Sequence, residues 1–524
     1  MVVGWAQSLD NNACVSLAGR NLSMDRRTFL KTGVGMTTGA ALAPADEAVR
    51  VTSNAVAASC SDTPPILVSH TAQEHRRRLE NIALVNRSIR RCLRTHLVTS
   101  YLPGQCVYNL GEYPCRKPWN PDEWDEQELD KLHAQGIRLI QVHEEWNDSQ
   151  RLFGSHKLDA LNPAGFCRFV DMVHRRGMKL IVYISSGYFQ RTDPDFRAEW
   201  AAGRDLIEIY FDYVHCSPAS PGWRAYLLPR LVHILDEFGV DGFYNDLGYL
   251  QPGKSPQAPA VDEVAAFEES ATNDGALADL LALIYAEVHR RGGIVKVHRG
   301  GARRLLTDAK IYDYLWVGEG GTNGDKLREA TKDHPPYVVP CLDMSRAKIT
   351  DENDLYLHAV PYLQFPVLLA GRPFTGERAI IPGIKYQAEE KCFWTRHNRA
   401  IWKHHQAHPD GPHSYGWWDS VPGRPEARPT HARWLKQYLP LVEEGTWPWL
   451  EITDSDLVRG TLPKGLCVSA FANRELFLAL ANYETAPVKL TTRDAFVPVD
   501  NPTASPQTQW KLAGRSLRLL RRVG

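Results

Sequence analysis

With 524 residues the chain is long enough for a large core and for more than one domain. Its 61 basic and 61 acidic side chains cancel to a formal net charge of zero, which argues against a nucleic-acid partner held by a basic stripe. The 15 tryptophans and 20 tyrosines suit ordinary packing, or the stacking of aromatic faces on pyranose rings. The ten cysteines include no CxxC pair, so a zinc ribbon or thioredoxin-type site is not expected. Cys106 and Cys115 are close enough in sequence to bridge if the protein is exported.

Taken in chain order, the first feature is "MDRRTFLKTGVGMTTGAALAPA", Met24 to Ala45. Arg26-Arg27 precede Phe29-Leu30-Lys31 and a mildly apolar stretch too short and weak to span a membrane. The segment resembles a bacterial twin-arginine export signal. That resemblance implies export of a folded protein to the periplasm or beyond, with Met24 as the working start. Residues 1–60 are therefore set apart as upstream extension, signal and linker. No later segment reads as a membrane span.

From about residue 104 short apolar runs alternate with helical patterns. Strands are expected at Cys106–Leu110, Ile137–His143, Lys179–Ser185, Gly242–Asp246, Ile294–His298, Tyr314–Gly318, Tyr337–Leu342 and Phe365–Leu369. Helices are expected at Asp122–Gln135, Pro163–Arg176, Trp223–Phe238 and Ala276–Arg291, each followed by a glycine that stops it. Parallel strands need crossover connections, and this beat supplies them. The expected class is α/β, a (β/α)8 TIM-type barrel over residues 61–405. An open doubly wound sheet fits less well, since no Gly-rich phosphate loop follows the first strand.

After about residue 380 the pattern changes. A helix is expected at Tyr386–His405, then a linker and a helix near Ala432–Val442 within 406–453. Residues 454–524 turn β-like, with Asn473-Arg474-Glu475 separating two alternating runs as a hairpin does. They are expected to form a C-terminal antiparallel β-sandwich domain.

In such a barrel the chemistry sits at the C-terminal ends of the strands. There the sequence sets His143, Glu144, Glu145 and Trp146, then Ser185 and Tyr188, then Tyr244 and Asp246, then His298 and Arg299. Trp316 and Glu319 follow on the sixth strand, and Asp343 on the seventh. Together these make a polar ring on an apolar framework. Singly, each aromatic or histidine is as readily a packing residue, and Asp246 could pair with Arg299 or cap a loop.

"GVDGFYND", Gly239 to Asp246, resembles the fourth-strand motif of the α-amylase and α-galactosidase superfamilies of glycoside hydrolases. The resemblance places Asp246 at the nucleophile position and Asp241 at the early motif acid. "VGEG" resembles an acid/base segment, which gives Glu319 that role. It implies cleavage of α-glycosidic bonds with retention, on a carbohydrate substrate. Two departures stand out: Tyr244 occupies the position of the amylase motif arginine, and Glu319 stands where α-galactosidases commonly use Asp.

Glycoside cleavage needs one carboxylate that stays ionised and one carboxyl that donates a proton. Trp316 and the apolar strand around Glu319 are expected to raise its pKa by desolvation. His143, Glu145, Trp146, Tyr188, Tyr244, His298, Arg299, Trp316 and Asp343 are the candidate substrate contacts. No cofactor and no catalytic metal is expected. A divalent-metal hydrolase built on His143, Glu145, Asp246 and His298 is an alternative, though neither HxH on an early strand nor HExxH occurs. A non-catalytic carbohydrate-binding barrel is another. The oligomeric state is not legible.

Overall fold

The computed structural model describes residues 70–111, 118–149, 151, 153–190, 193–207, 212–246, 271–298, 311–318, 323–334, 336–341, 351–372 and 424–523. The twin-arginine segment, Cys115, Arg299, Glu319, Asp343 and the expected helix at Tyr386–His405 lie outside the described residues.

Eight parallel strands form one sheet: β1 (Gln105–Asn109), β2 (Leu139–Val142), β3 (Lys179–Ser185), β4 (Gly242–Asp246), β5 (Ile294–His298), β6 (Tyr314–Val317), β7 (Val338–Pro340) and β8 (Leu368–Gly371). The order is β7-β6-β5-β4-β3-β2-β1-β8, so consecutive strands are neighbours and the last lies beside the first. At the two ends of this path, Val367 N donates to Pro340 O at 3.2 Å, just before β8 and at the end of β7. All eight strands are buried almost throughout, as sheets covered by crossover helices must be.

Helices Glu123–Ala134, Pro163–His174, Pro221–Phe238 and Ala271–His289 connect the strands. Their starts follow the capping chemistry of the sequence. Asp122 accepts from Trp124 N, Asn162 from Gly165 N and Ser220 from Trp223 N, and the last two precede a proline in the first turn.

Two helix ends share a device. "HRRG" occurs at His174–Gly177 and again at His289–Gly292. His174 Nε2 lies 2.8 Å from Asp241 Oδ2, and His289 Nε2 lies 2.9 Å from Asp313 Oδ2. Each aspartate, just before the following strand, also accepts a backbone N–H from the strand entered by its histidine's helix: Leu180 N at 2.8 Å, Val295 N at 2.9 Å. The second arginine reaches back to the preceding helix, Arg176 to Asp130 at 2.7 Å and Arg291 to Asp236 at 2.6 Å. The motif therefore pins a helix end, the helix before it and two adjacent strands.

Gly242, beside Asp241, has φ +134°, and a Cβ there would meet Ile294 O at 2.0 Å. Only glycine lets β4 pass β5 at that distance. The Asp-Gly of the motif is thus an architectural pair at the start of β4, and the acid that reaches the other end is Asp246.

A second sheet is antiparallel and also eight-stranded, in the order 89–95, 447–455, 466–472, 476–482, 516–522, 488–498, 458–459, with 507–512 paired to 488–498. Asn473-Arg474-Glu475 make the expected hairpin: Asn473 N donates to Glu475 O at 2.9 Å and Glu475 N to Asn473 Oδ1 at 2.8 Å. The sheet reaches beyond residues 454–524, since it takes in Trp447–Ser455 and, from before the first parallel strand, Ile89–Thr95. The first carries Pro448, which reads as a strand breaker, and the second is rich in arginine and half exposed, so neither shows the alternation of a strand.

Helix Ala72–Ser88 precedes Ile89–Thr95 and is opened by a capping box between Thr71 and Glu74. Phe471, Phe477, Ala479 and Leu519 of the second sheet belong to the same core as the parallel strands. Cys106 is a free, buried thiol whose pKa burial pushes well up. Among the described residues no helix is long and apolar enough to cross a membrane.

Candidate active site

Side chains two apart on a strand share a face, and the parallel register aligns them between strands. β3 sets Tyr183 beside Tyr244 and Ser185 beside Asp246 on β4. β5 sets Lys296 beside Tyr244 and His298 beside Asp246. β6 sets Trp316 beside His298. Asp246 therefore stands at the C-terminal tip of β4 with Ser185 and His298 as strand neighbours.

Its carboxylate is held from two sides. Tyr183 Oη donates to Oδ2 at 3.1 Å, and His298 Nδ1 lies 3.6 Å from Oδ1. The Asp246 side chain keeps 14% of its surface exposed and that of His298 only 3%. A carboxylate so placed is fixed in direction yet open to a ligand.

Below it lies a layer of rings. His143 packs on Tyr183, Tyr244 and Trp316 with centroids 6.0, 5.3 and 5.9 Å apart. Tyr244 packs on Trp316 at 5.1 Å and on His298 at 6.1 Å. Burial, then the neighbouring His298 and Lys296, push the His143 pKa down to about 3, against an opposing pull from Asp246. Beside Tyr244 in register, Lys296 is fully buried, and burial lowers its pKa to about 7.

Lys157 brings a further charge, from the segment after β2. Its Nζ lies 4.0 Å from Glu144 Oε1. Burial lowers its pKa, and Glu144 and Asp246 oppose that shift. Glu144 is thus the acid of the Glu144-Glu145 pair that meets Lys157. Glu145 is buried in the short turn Glu144–Trp146, where its carbonyl accepts Trp119 Nε1 at 2.8 Å.

Five sequence candidates, Asp246, His143, His298, Tyr244 and Trp316, come together. Trp146 stands apart from them. It is fully buried against Phe166 and Phe238 of two covering helices, and its Nε1 donates to Tyr183 O. Tyr188 opens a short strand, Tyr188–Gln190, paired with Asp212–Cys216 in a small three-stranded sheet after β3, and it is buried. Sequence reading passed over Tyr183, Gln141, Lys296 and Lys157. The first three lie two residues before Ser185, His143 and His298, so period-two alternation was a sufficient signal. Lys157 follows a strand in an irregular segment and carries no such signal.

Among the described residues no group of three or more His, Cys, Asp or Glu side chains is placed to hold a metal ion. His143 instead meets Gln141 at 3.2 Å, and Asp246 meets Tyr183.

No protein-family model matches the chain, and no curated protein does. Solved structures do resemble it. The MutB inactive double mutant in complex with isomaltulose has a TM-score of 0.50 at 10% identity, covering 81% of this chain and 99% of that one. The likeness is one of fold. The α-glucosyl transfer enzyme XgtA has a TM-score of 0.49 at 11% identity, covering 80% of this chain and 99% of that one. A maltogenic α-amylase, AmyB from Thermotoga neapolitana, has a TM-score of 0.47 at 13% identity, with coverages of 80% and 99%.

Proposed function

We propose that the protein is an exported glycoside hydrolase whose eight parallel strands form a closed (β/α)8 barrel, and that it cleaves α-glycosidic bonds with retention. The observation that carries the reading is the placement of Asp246: a partly exposed carboxylate at the tip of β4, oriented by Tyr183 and His298 above a layer of aromatic rings. The fold likeness to MutB, which was solved with isomaltulose, agrees with it.

In this reading Asp246 attacks the anomeric carbon while Glu319 gives a proton to the leaving oxygen. Glu319 then takes a proton from the water that releases the sugar. Tyr183 holds one Asp246 oxygen and so directs the other at the sugar. Tyr244 and Trp316 are fully buried, so they are not the sugar platforms the sequence suggested; they pack beneath the site and hold His143 and His298 in place. The buried Lys157 adds positive potential near Asp246, which favours its ionised form.

The test of the stereochemical claim is the anomer released first from an aryl α-glycoside, read by proton NMR before mutarotation. Retention supports Asp246 as a covalent nucleophile. Inversion would make it a base acting through water. Export rests on the Arg26-Arg27 segment. Cell fractionation after replacing both arginines with lysine tests it: the altered protein should remain in the cytoplasm, and unchanged export contradicts the reading.

A further inference from the structure

Lys296, Gln141 and His143 form a buried chain of polar side chains leading to the site. Lys296 and Gln141 are completely buried and His143 nearly so. Lys296 Nζ lies 2.7 Å from Gln141 Oε1, and Gln141 Nε2 lies 3.2 Å from His143 Nε2.

Chemistry gives this chain a direction. Lysine has N–H bonds to donate whether or not it is charged, and an ammonium has no acceptor at all. The Gln141 oxygen therefore takes the hydrogen from Lys296, and the amide nitrogen, a donor only, is turned toward His143. His143 Nε2 must then accept. A neutral imidazole has one donor and one acceptor, so the ring proton belongs on Nδ1. A doubly protonated ring would set an N–H against the amide N–H in a buried place. The charged or titratable groups that act on the ring are His298, Lys296 and Asp246. The low pKa of His143 agrees with a ring that stays neutral.

We propose that Lys296, acting through Gln141, locks His143 as the Nδ1–H tautomer, and that His143 thereby serves as a fixed hydrogen-bond donor to a substrate hydroxyl beside Asp246 and not as a proton-transfer group. The lock stands on the hydrogen bonds alone. The donor role rests on the glycoside-hydrolase reading. Lys296 and Gln141 are positioning residues in this account.

The test uses the full chain with nitrogen-15 histidine, the His143 signal being assigned by its loss in His143→Gln. Long-range proton–nitrogen correlation separates a ring with a bare Nε2 from one with a bare Nδ1. The lock predicts a bare Nε2 throughout about pH 5 to 8. A protonated Nε2 in that range overturns it. Gln141→Glu replaces the amide with a carboxylate that only accepts, so His143 should change to the Nε2–H or doubly protonated form. An unchanged bare Nε2 overturns the role of Gln141. If that variant does not fold, Lys296→Met serves: with the amide no longer held, both tautomers should appear, and a single bare-Nε2 signal contradicts the role of Lys296.

For a glycoside that the wild type turns over, Gln141→Glu should lower kcat/KM about tenfold, roughly the worth of one directed hydrogen bond. An unchanged kcat/KM beside a switched tautomer overturns the donor role. Failure of the wild type on every glycoside would sink the glycosidase reading and the donor role with it, while the spectrum still decides the lock.

Discussion

The Tyr183 hydroxyl donates to Asp246 Oδ2 across 3.1 Å, tying the site face of β3 to the carboxylate that ends β4. A hydrogen bond to a charged group is worth about 1.5–3 kcal/mol. Tyr183→Phe keeps the ring and removes this bond. It should lower kcat/KM by roughly ten- to a hundredfold with the circular dichroism spectrum unchanged. A loss smaller than about twofold would mean that Tyr183 does not position Asp246.

Asp241 and Asp246 separate by role along five residues of chain. Asp241 accepts from Leu180 N at 2.8 Å and meets His174 and Lys179, all at the start of its strand. Asp241→Asn should therefore cost about 1–3 kcal/mol in urea unfolding while kcat/KM stays within a fewfold of wild type. A large loss of activity with full stability would instead give Asp241 a part in the chemistry.

Much of this was legible from spacing. The strand bounds Lys179–Ser185, Gly242–Asp246 and Ile294–His298 are as expected, because each is a short apolar run entered from a glycine stop. The Asn473 hairpin was legible from a different signal, the polar Asn473-Arg474-Glu475 between two alternating runs. Pro448 hid one strand and the arginines of Ile89–Thr95 another, since tertiary pairing overrode a local pattern that read as something else. At the site, reading strand ends singled out Asp246, His143 and His298 and, inward of them on these strands, only Tyr244. It passed over the layer beneath, Tyr183, Gln141 and Lys296, which alternation alone would have added. Trp146 shows the opposite case: it follows β2 in a short turn, where no period tells which face a ring will take.

Lys296 gives stability a distinctive pH dependence. Burial lowers its pKa from 10.5 to about 7, so between those values the unfolded chain binds the extra proton. Its contribution to stability therefore improves as pH rises through that window, and is flat below it. Compared with Lys296→Met, the wild type should gain roughly 2 kcal/mol of unfolding free energy between about pH 7 and pH 9. Equal pH dependence of the two proteins would contradict the burial of an ionisable amine there.

His431 acts at the acid end. It is buried against Tyr356 and Phe365, with Nε2 3.3 Å from Pro366 O. Burial lowers its pKa from 6.5 to about 4. As pH falls from 6.5 toward 4 the unfolded chain takes the proton first, and stability drops by about 1.4 kcal/mol per pH unit from this residue. His431→Gln should flatten the acid limb of a urea-midpoint profile by that amount. A limb of unchanged steepness would assign the acid loss to other groups.

The central claim is that Asp246 carries the chemistry, and it is tested most directly by turnover of aryl α- and β-glycosides by the wild type and Asp246→Asn, with protein beginning near residue 61. The account predicts turnover by the wild type and a loss of about a thousandfold or more in the variant, since removing a covalent catalyst forfeits several kcal/mol of transition-state stabilisation. Equal turnover by the two proteins would contradict it.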